Sequence, residues 1–325
     1  MATPSSSLAT LRPELGASLM LFDLAMSQKG FIAPKVAPVI EVDKQAGPFG
    51  KINIEQLLQT RNTTRTSRGG YSRQDWEFGT STYATKEYGA EEKVDDRDKN
   101  LYGAYFVAEQ LAASRARDAV LRNYELRMAA AIYNTTTWTG AALTAGVGGG
   151  AWSTFASSTP IADIAAAKKK VYDNIGLVPN TVILNYHVYL NLQQNADLIS
   201  RIKYSGLQDP NTDKITVSAI AQAFGVEEVV IAGAQYNSAN EGQAASLSPA
   251  WSDTYAMVAY VAKSDDIQEP CIARTFHWGG DGSTVGGTME SYRDETVRAD
   301  IIRCRQDVQE LVLVPQCGFL ISGVT

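Results

Sequence analysis

Very few residues in this 325-residue chain could act as acid, base or nucleophile. Its two histidines, His187 and His277, are the only side chains that would change charge near neutral pH without help. His187 sits in NYHVYL, which reads as a helix start, and His277 beside Trp278 in a strand-like run, so both are read as structural or surface groups. Ser200 and Lys203 have the S-x-x-K spacing that places a hydroxyl and an amine on one helix face, as some acyl-transfer enzymes require. The motifs that accompany it in those enzymes are missing. Asp96, Asp98 and Asn100 imitate the opening of a calcium loop. Leu101 stands where the sharp turn needs glycine and Val107 where the closing glutamate belongs, so the match fails. Gly146, Gly148, Gly149 and Gly150 would suit a phosphate cradle, but a long helix precedes them and no Lys-Ser/Thr follows; residues 139–158 read as a flexible connector. Cys271, Cys304 and Cys317 are odd in number and far apart, and are read as buried thiols. No catalytic centre, cofactor site or metal site is assigned.

Composition narrows the class further. With 45% hydrophobic residues the chain can bury a substantial core, and no apolar run approaches the roughly 20 residues of a membrane span. The first residues lack the basic stretch and apolar run of a signal peptide, so synthesis in a cytoplasm is expected. Lys+Arg total 29 against Asp+Glu 35, a net charge of −6, which argues against tight counterion-releasing contact with DNA.

The element able to organise the rest is Leu101 to Asn134. Small or apolar residues at Tyr105, Ala108, Ala112, Ala116, Ala119 or Val120, Tyr124, Met128 and Ala131 trace one face of a long helix, with Asp95, Asp96 and Asp98 at its start. Arg115, Arg117, Asp118, Arg122, Glu125 and Arg127 lie mostly off that stripe. In front of it the charge is divided. Arg61, Arg65, Arg68 and Arg73 fall in an acid-free stretch, whereas residues 74–98 hold eight acids against three bases. Thr60 to Thr66, Tyr71, Trp76, Phe78, Tyr83 and Tyr88 are strand formers, with turn residues at Gly69-Gly70 and Gly79. A long two-stranded excursion is expected, and such a ribbon is marginal alone, so its place is on another molecule. The surfaces assigned to that contact are Arg61, Arg65, Arg68, Arg73, Trp76, Glu77, Glu91, Glu92, Asp95 and Asp96.

After the helix, Thr159, Pro160, Asp163, the lysines at 168–170 and Gly176 mark the start and stop of a helix over about 160–175. Strands at 181–184, 227–232 and 255–262 alternate with helices at 186–203 and 217–224, an α/β unit in which 237–249 is a polar surface loop. From Ile272 the chain returns to strands up to Pro315, to be packed on the long helix.

This order, together with the strings LRPELGAS at 11–18, AGPFGKINIEQLL at 46–58 and VRADIIRCRQDVQELVLV at 297–314, resembles the tailed-bacteriophage major capsid proteins of the Hong Kong 97 fold. The resemblance implies an α+β subunit: an N-terminal arm at 1–50, an extended loop at 51–99, a discontinuous peripheral domain at 100–158 and 266–325 built on spine helix 101–134, and an axial domain at 159–265. It implies no enzyme. It implies pentamers and hexamers closing an icosahedral head around double-stranded DNA without sequence-specific binding or membrane contact. Copies of itself, a separate scaffolding protein, a portal and a decoration protein would be the partners, and the virion the location. A nanocompartment shell of the same fold and an intracellular α/β enzyme are the alternative readings.

Overall fold

The computed structural model of the chain describes residues 10–11, 30–52, 58–60, 63–71, 73, 78–97, 108–205, 215–240 and 242–325. Its strands are β1 (Thr10–Leu11), β2 (Val39–Val42), β3 (Ala46–Ile52), β4 (Phe78–Ala84), β5 (Lys86–Asp95), β6 (Thr144–Gly146), β7 (Thr181–Asn185), β8 (Glu228–Ala232), β9 (Gln235–Asn237), β10 (Leu247–Pro249), β11 (Tyr255–Ala259), β12 (Ala273–Trp278), β13 (Thr288–Asp294), β14 (Ala299–Val312) and β15 (Gly318–Ser322). The helices are α1 (Ala33–Val36), α2 (Ala108–Ile132), α3 (Pro160–Ile175), α4 (Tyr186–Gln194), α5 (Ala196–Ser205) and α6 (Val217–Phe224).

Two sheets share the long helix. In the first, the order is β1-β13-β14-β12-β2, and β5 lies along the other side of β14. In the second it is β6-β15-β11-β7-β8. The front half of α2 lays Ala112, Ala113, Ala116 and Val120 on Val94, Met289, Ile302 and Cys304 of the first sheet. Its back half carries Tyr124, Met128 and Ile132 into the main core, which also holds the second sheet. Alanines at the front let the helix axis approach the sheet closely, and larger side chains fill the wider gap behind. The stripe follows the expected spacing from Ala112 to Met128, running through Val120, and ends on Ile132 where Ala131 was expected; Tyr105 lies outside the described residues.

Two charged residues expected off that stripe are buried on it, Arg117 and Glu125. Arg117 donates from Nε to the carbonyl of Gly286 at 2.7 Å. Glu125, 1% exposed, accepts from the backbone N–H of Ile32 and Ala33, both at 2.9 Å, and from the indole N–H of Trp251 at 2.6 Å. One carboxylate thus fastens the start of α1, the long helix and the second domain together. Its backbone bonds satisfy donors that the short α1 leaves without carbonyl partners.

Elsewhere the chain departs from its sequence reading. Residues 139–158 are no loose connector: Trp138 and Trp152 are fully buried, β6 pairs with β15, and Asp163 accepts from Gly148 N and Trp152 Nε1 at 2.9 and 2.8 Å. Segment 186–203 is two helices, because Asn195 is buried, turns to extended backbone and donates to Ser158 Oγ. Segment 237–249 is closed by the β9–β10 hairpin. Both β6 and β15 belong to the second sheet, so the boundaries expected at 158 and 266 do not separate the two sheets. Gly176 and Gly225 do end α3 and α6 in left-handed conformation, and Thr216 caps α6, whereas Thr159 begins α3 without a capping side-chain bond.

Gly30 is needed where it stands. Its φ is +71°, and a Cβ there would lie 2.5 Å from the backbone nitrogen of Gly233. Gly30→Ala should cost about 2 kcal/mol by strain and displacement, read as a loss in urea-unfolding free energy; an unchanged midpoint would contradict this packing.

Across β13 and β14, Glu290 accepts from Arg303 Nη2 and Arg305 Nε at 2.6 and 2.7 Å, and Arg305 also reaches Asp281. Burial alone would raise the Glu290 carboxyl, but the bonds from Arg305 and Arg303 outweigh it and hold the group below its usual 4.5. A depressed carboxylate stabilises the fold above its unfolded value and ceases to do so as pH falls through the folded one. Melting temperature should therefore decline below about pH 4.5, and less steeply in Glu290→Gln.

Candidate assembly surfaces

The groups that could do chemistry are committed elsewhere. Ser200 Oγ donates to Ala196 O at 2.7 Å, a bond within its own helix. His187 is exposed, with Nδ1 3.6 Å from Asp253. His277 is 3% exposed and lies 3.4 Å from Ser283 Oγ, but that hydroxyl donates to Trp278 O at 2.9 Å. The His277 Nδ1 has no partner, so the third group that orients a catalytic imidazole is absent from this pair. All three cysteines are buried, and burial pushes the Cys304 thiol up to about 12, far from a reactive thiolate. Among the described residues there is no cluster of His, Cys, Asp and Glu fit to hold a metal ion. None of the described helices is long and apolar enough to cross a membrane.

What the chain does present is the ribbon. It forms from β3 and β4, paired antiparallel from Ala46↔Ala84 to Ile52↔Phe78. Its root is fixed to the body: Tyr83 stacks on Phe276 with ring centroids 5.0 Å apart, Phe49 sits 5.2 Å from the same ring, and Ala84 N donates to Gln309. Beyond β3, Leu58 lies within 3.5 Å of a Cβ built on Gly176, at the end of α3. Farther out, a turn closes with Gly69 N donating to Thr66 O, and Arg68 takes φ +69°. Arg65 packs over the Tyr71 ring at 4.8 Å and donates to Gly69 O. Arg65, Arg68, Tyr71 and Arg73 are exposed, Tyr71 by 73%. Arg68 and Arg73 have no ion pair among the described residues.

The acidic half of the segment belongs to the body and not to the ribbon. β5 pairs with β14 over ten residues, from Ala299↔Asp95 to Val308↔Lys86. Glu91 faces Arg303 at 3.7 Å, Glu92 faces Arg115 at 3.7 Å, and Asp96 pairs twice with Arg293, at 2.6 and 2.7 Å. The Asp95 carboxylate caps Arg97 N at 2.8 Å. The charge division that looked like two faces of one excursion is a basic tip followed by a strand whose acids answer bases of its own sheet. Arg61, Trp76 and Glu77 lie outside the described residues. The ribbon also begins earlier and ends earlier than the expected 51–99, because residues 46–50 already belong to β3 while KEYGAEEKVD completes the first sheet.

Sequence reasoning missed Glu125 and Gln309. Neither carries a local signal: each is an ordinary polar residue in its own element, and its partner lies far away in the chain.

No family model matches the chain. The major capsid protein of Burkholderia phage BcepMu is 25% identical over 301 residues, covering 90% of this chain and 91% of its own. A phage-related protein from Bordetella bronchiseptica RB50 superposes with a TM-score of 0.69 at 22% identity, over 97% of this chain and 98% of that one. The chain has the Hong Kong 97 fold of phage capsids. The capsid of cyanophage P-SCSP1u shares this capsid fold at 12% identity, with a TM-score of 0.55 over 88% of this chain and 86% of its own. Within this fold the exposed ribbon is the feature of interest.

Proposed function

We propose that this chain is the major capsid protein of a tailed phage, assembling with copies of itself into the pentamers and hexamers of an icosahedral head around double-stranded DNA. The relationship to a phage major capsid protein along nine-tenths of both chains carries this reading. The first sheet with the front of α2 serves as the peripheral domain, the second sheet and its helices as the axial domain, and β3–β4 as the extended loop. Net acidity suits a wall that must enclose DNA without gripping it. The role is structural; scaffolding, portal and decoration proteins are its further partners, and the shell is built in the host cytoplasm.

Electron microscopy of the protein, expressed alone and with the phage's scaffolding protein, tests the reading. Closed shells or capsomer rings are expected, and monomers under both conditions would overturn it. The basic tip gives a second test. The triple variant Arg65→Glu, Arg68→Glu, Arg73→Glu should raise the concentration needed for assembly by roughly tenfold at low salt, with the difference shrinking as salt screens it; assembly indistinguishable from wild type by light scattering would count against the ribbon as an electrostatic contact.

A further inference from the structure

At the root of the ribbon lies a cleft of about 410 Å³, lined among others by Glu41, Val42, Asp43, His277, Gly279 and Ser283. Its polar side chains are the Glu41 and Asp43 carboxylates, the His277 ring and the hydroxyls of Ser283 and Thr284. Glu41 and Asp43 are exposed carboxylates with no cationic partner among the described residues. The Ser283 hydroxyl proton is committed to Trp278 O, so the Ser283 lone pair faces the His277 Nε2–H. That tautomer leaves Nδ1 as a buried lone pair with no donor. Leaving such a group unfilled costs about 1 to 3 kcal/mol, so an occupant that donates is favoured there. Gly279 lies beside this edge of the ring: a Cβ there would sit 3.4 Å from Cε1 and 3.9 Å from Nδ1.

The ligand this chemistry selects is cationic and carries several N–H donors, which describes a guanidinium. The chain itself displays two that are exposed and have no ion pair among the described residues, Arg68 and Arg73. Among the described residues neither pairs with Glu41 or Asp43 of its own subunit. A donor segment and an acceptor cleft on different parts of one chain suit the head-to-tail arrangement that closes into a ring.

We propose that the Glu41–Asp43–His277 cleft receives the Arg68 and Arg73 guanidinium groups of a second copy of this chain. The inference rests on the capsid reading and names the seat of the ribbon tip within it. Two charge-reversed proteins test it: Glu41→Arg with Asp43→Arg, and Arg68→Glu with Arg73→Glu, each checked for an unchanged melting curve. Either pair alone should raise the assembly concentration about tenfold, and all four changes in one chain should restore it to near the wild-type value. A quadruple variant no better than the pairs, or either pair assembling normally by itself, overturns the assignment; the latter would leave the cleft or the tip to another protein. A second measurement does not need shells. Subunits bearing Asp43→Cys, mixed with subunits bearing Arg68→Cys under mild oxidation, should give a disulfide-linked heterodimer on a non-reducing gel, and its absence from material that does form shells overturns the seat alone. Wild-type protein that forms neither rings nor shells instead overturns the capsid reading.

Discussion

Replacing residues 53–77 with a two-residue Asn-Gly turn should give a subunit that folds normally and never closes a shell. Ile52 and Phe78 are the outermost pair of the ribbon, and Asn-Gly is the turn that closes an antiparallel pair with the right twist. The root contacts of Phe49 and Tyr83 on Phe276 survive, so melting should shift by only a few degrees, about 1 kcal/mol or less. Everything the tip offers a neighbour goes: Arg65, Arg68, Tyr71 and Arg73. Sedimentation should show discrete small species, and electron microscopy no particles; normal particles would mean the ribbon is dispensable. The boundaries matter here. A deletion over 61–98 would also remove β4 and β5, stripping β14 of its longest ladder and α2 of Val94, and loss of assembly would then follow from loss of fold.

Glu125→Ala is expected to be the most damaging single substitution away from the apolar core. It leaves the N–H groups of Ile32 and Ala33 and the indole of Trp251 without an acceptor, all three buried. An unmet buried donor costs about 1 to 3 kcal/mol, so a loss of roughly 3 to 5 kcal/mol is expected in chemical unfolding. Glu125→Gln keeps one acceptor oxygen and should lose about half as much. Hydrogen exchange at Ile32 and Ala33 should quicken in both, because the start of α1 is what the carboxylate holds. A change below about 1 kcal/mol in Glu125→Ala would show that apolar packing, and not this bond set, joins the arm to the helix. Burial pushes the Glu125 carboxyl above its usual 4.5, with the three donors opposing. A raised group loses its share of stability as pH climbs through the folded value, opposite in sign to Glu290. Removing Glu125 should therefore steepen the acid loss.

Local rules carried the sequence reading a long way and then stopped at a definite place. Pro160 and Gly176 act within a turn of the helix they bound, as Gly225 does at the end of α6, so those ends were legible. The alanine stripe of α2 was legible for the same reason. Partners distant in the chain were not. The acids at 91–96 were grouped with the nearby arginines at 61–73, when their actual counterparts are Arg115, Arg293 and Arg303. The glycines at 146–150 signalled looseness, and the burial of Trp138 and Trp152 that fixes the segment depends on a strand nearly two hundred residues away. Of the assembly surface, the basic tip was visible as composition. The cleft at its root was not, because His277 and Glu41 come together only when β2 pairs with β12.

That β15 lies between β6 and β11 orders events in time. The second sheet is left as two separate pieces until residue 322 has emerged from the ribosome, although β6 and β11 were made long before. A polypeptide cut short ahead of residue 318 lacks the strand that joins them, so a truncated copy cannot complete this sheet.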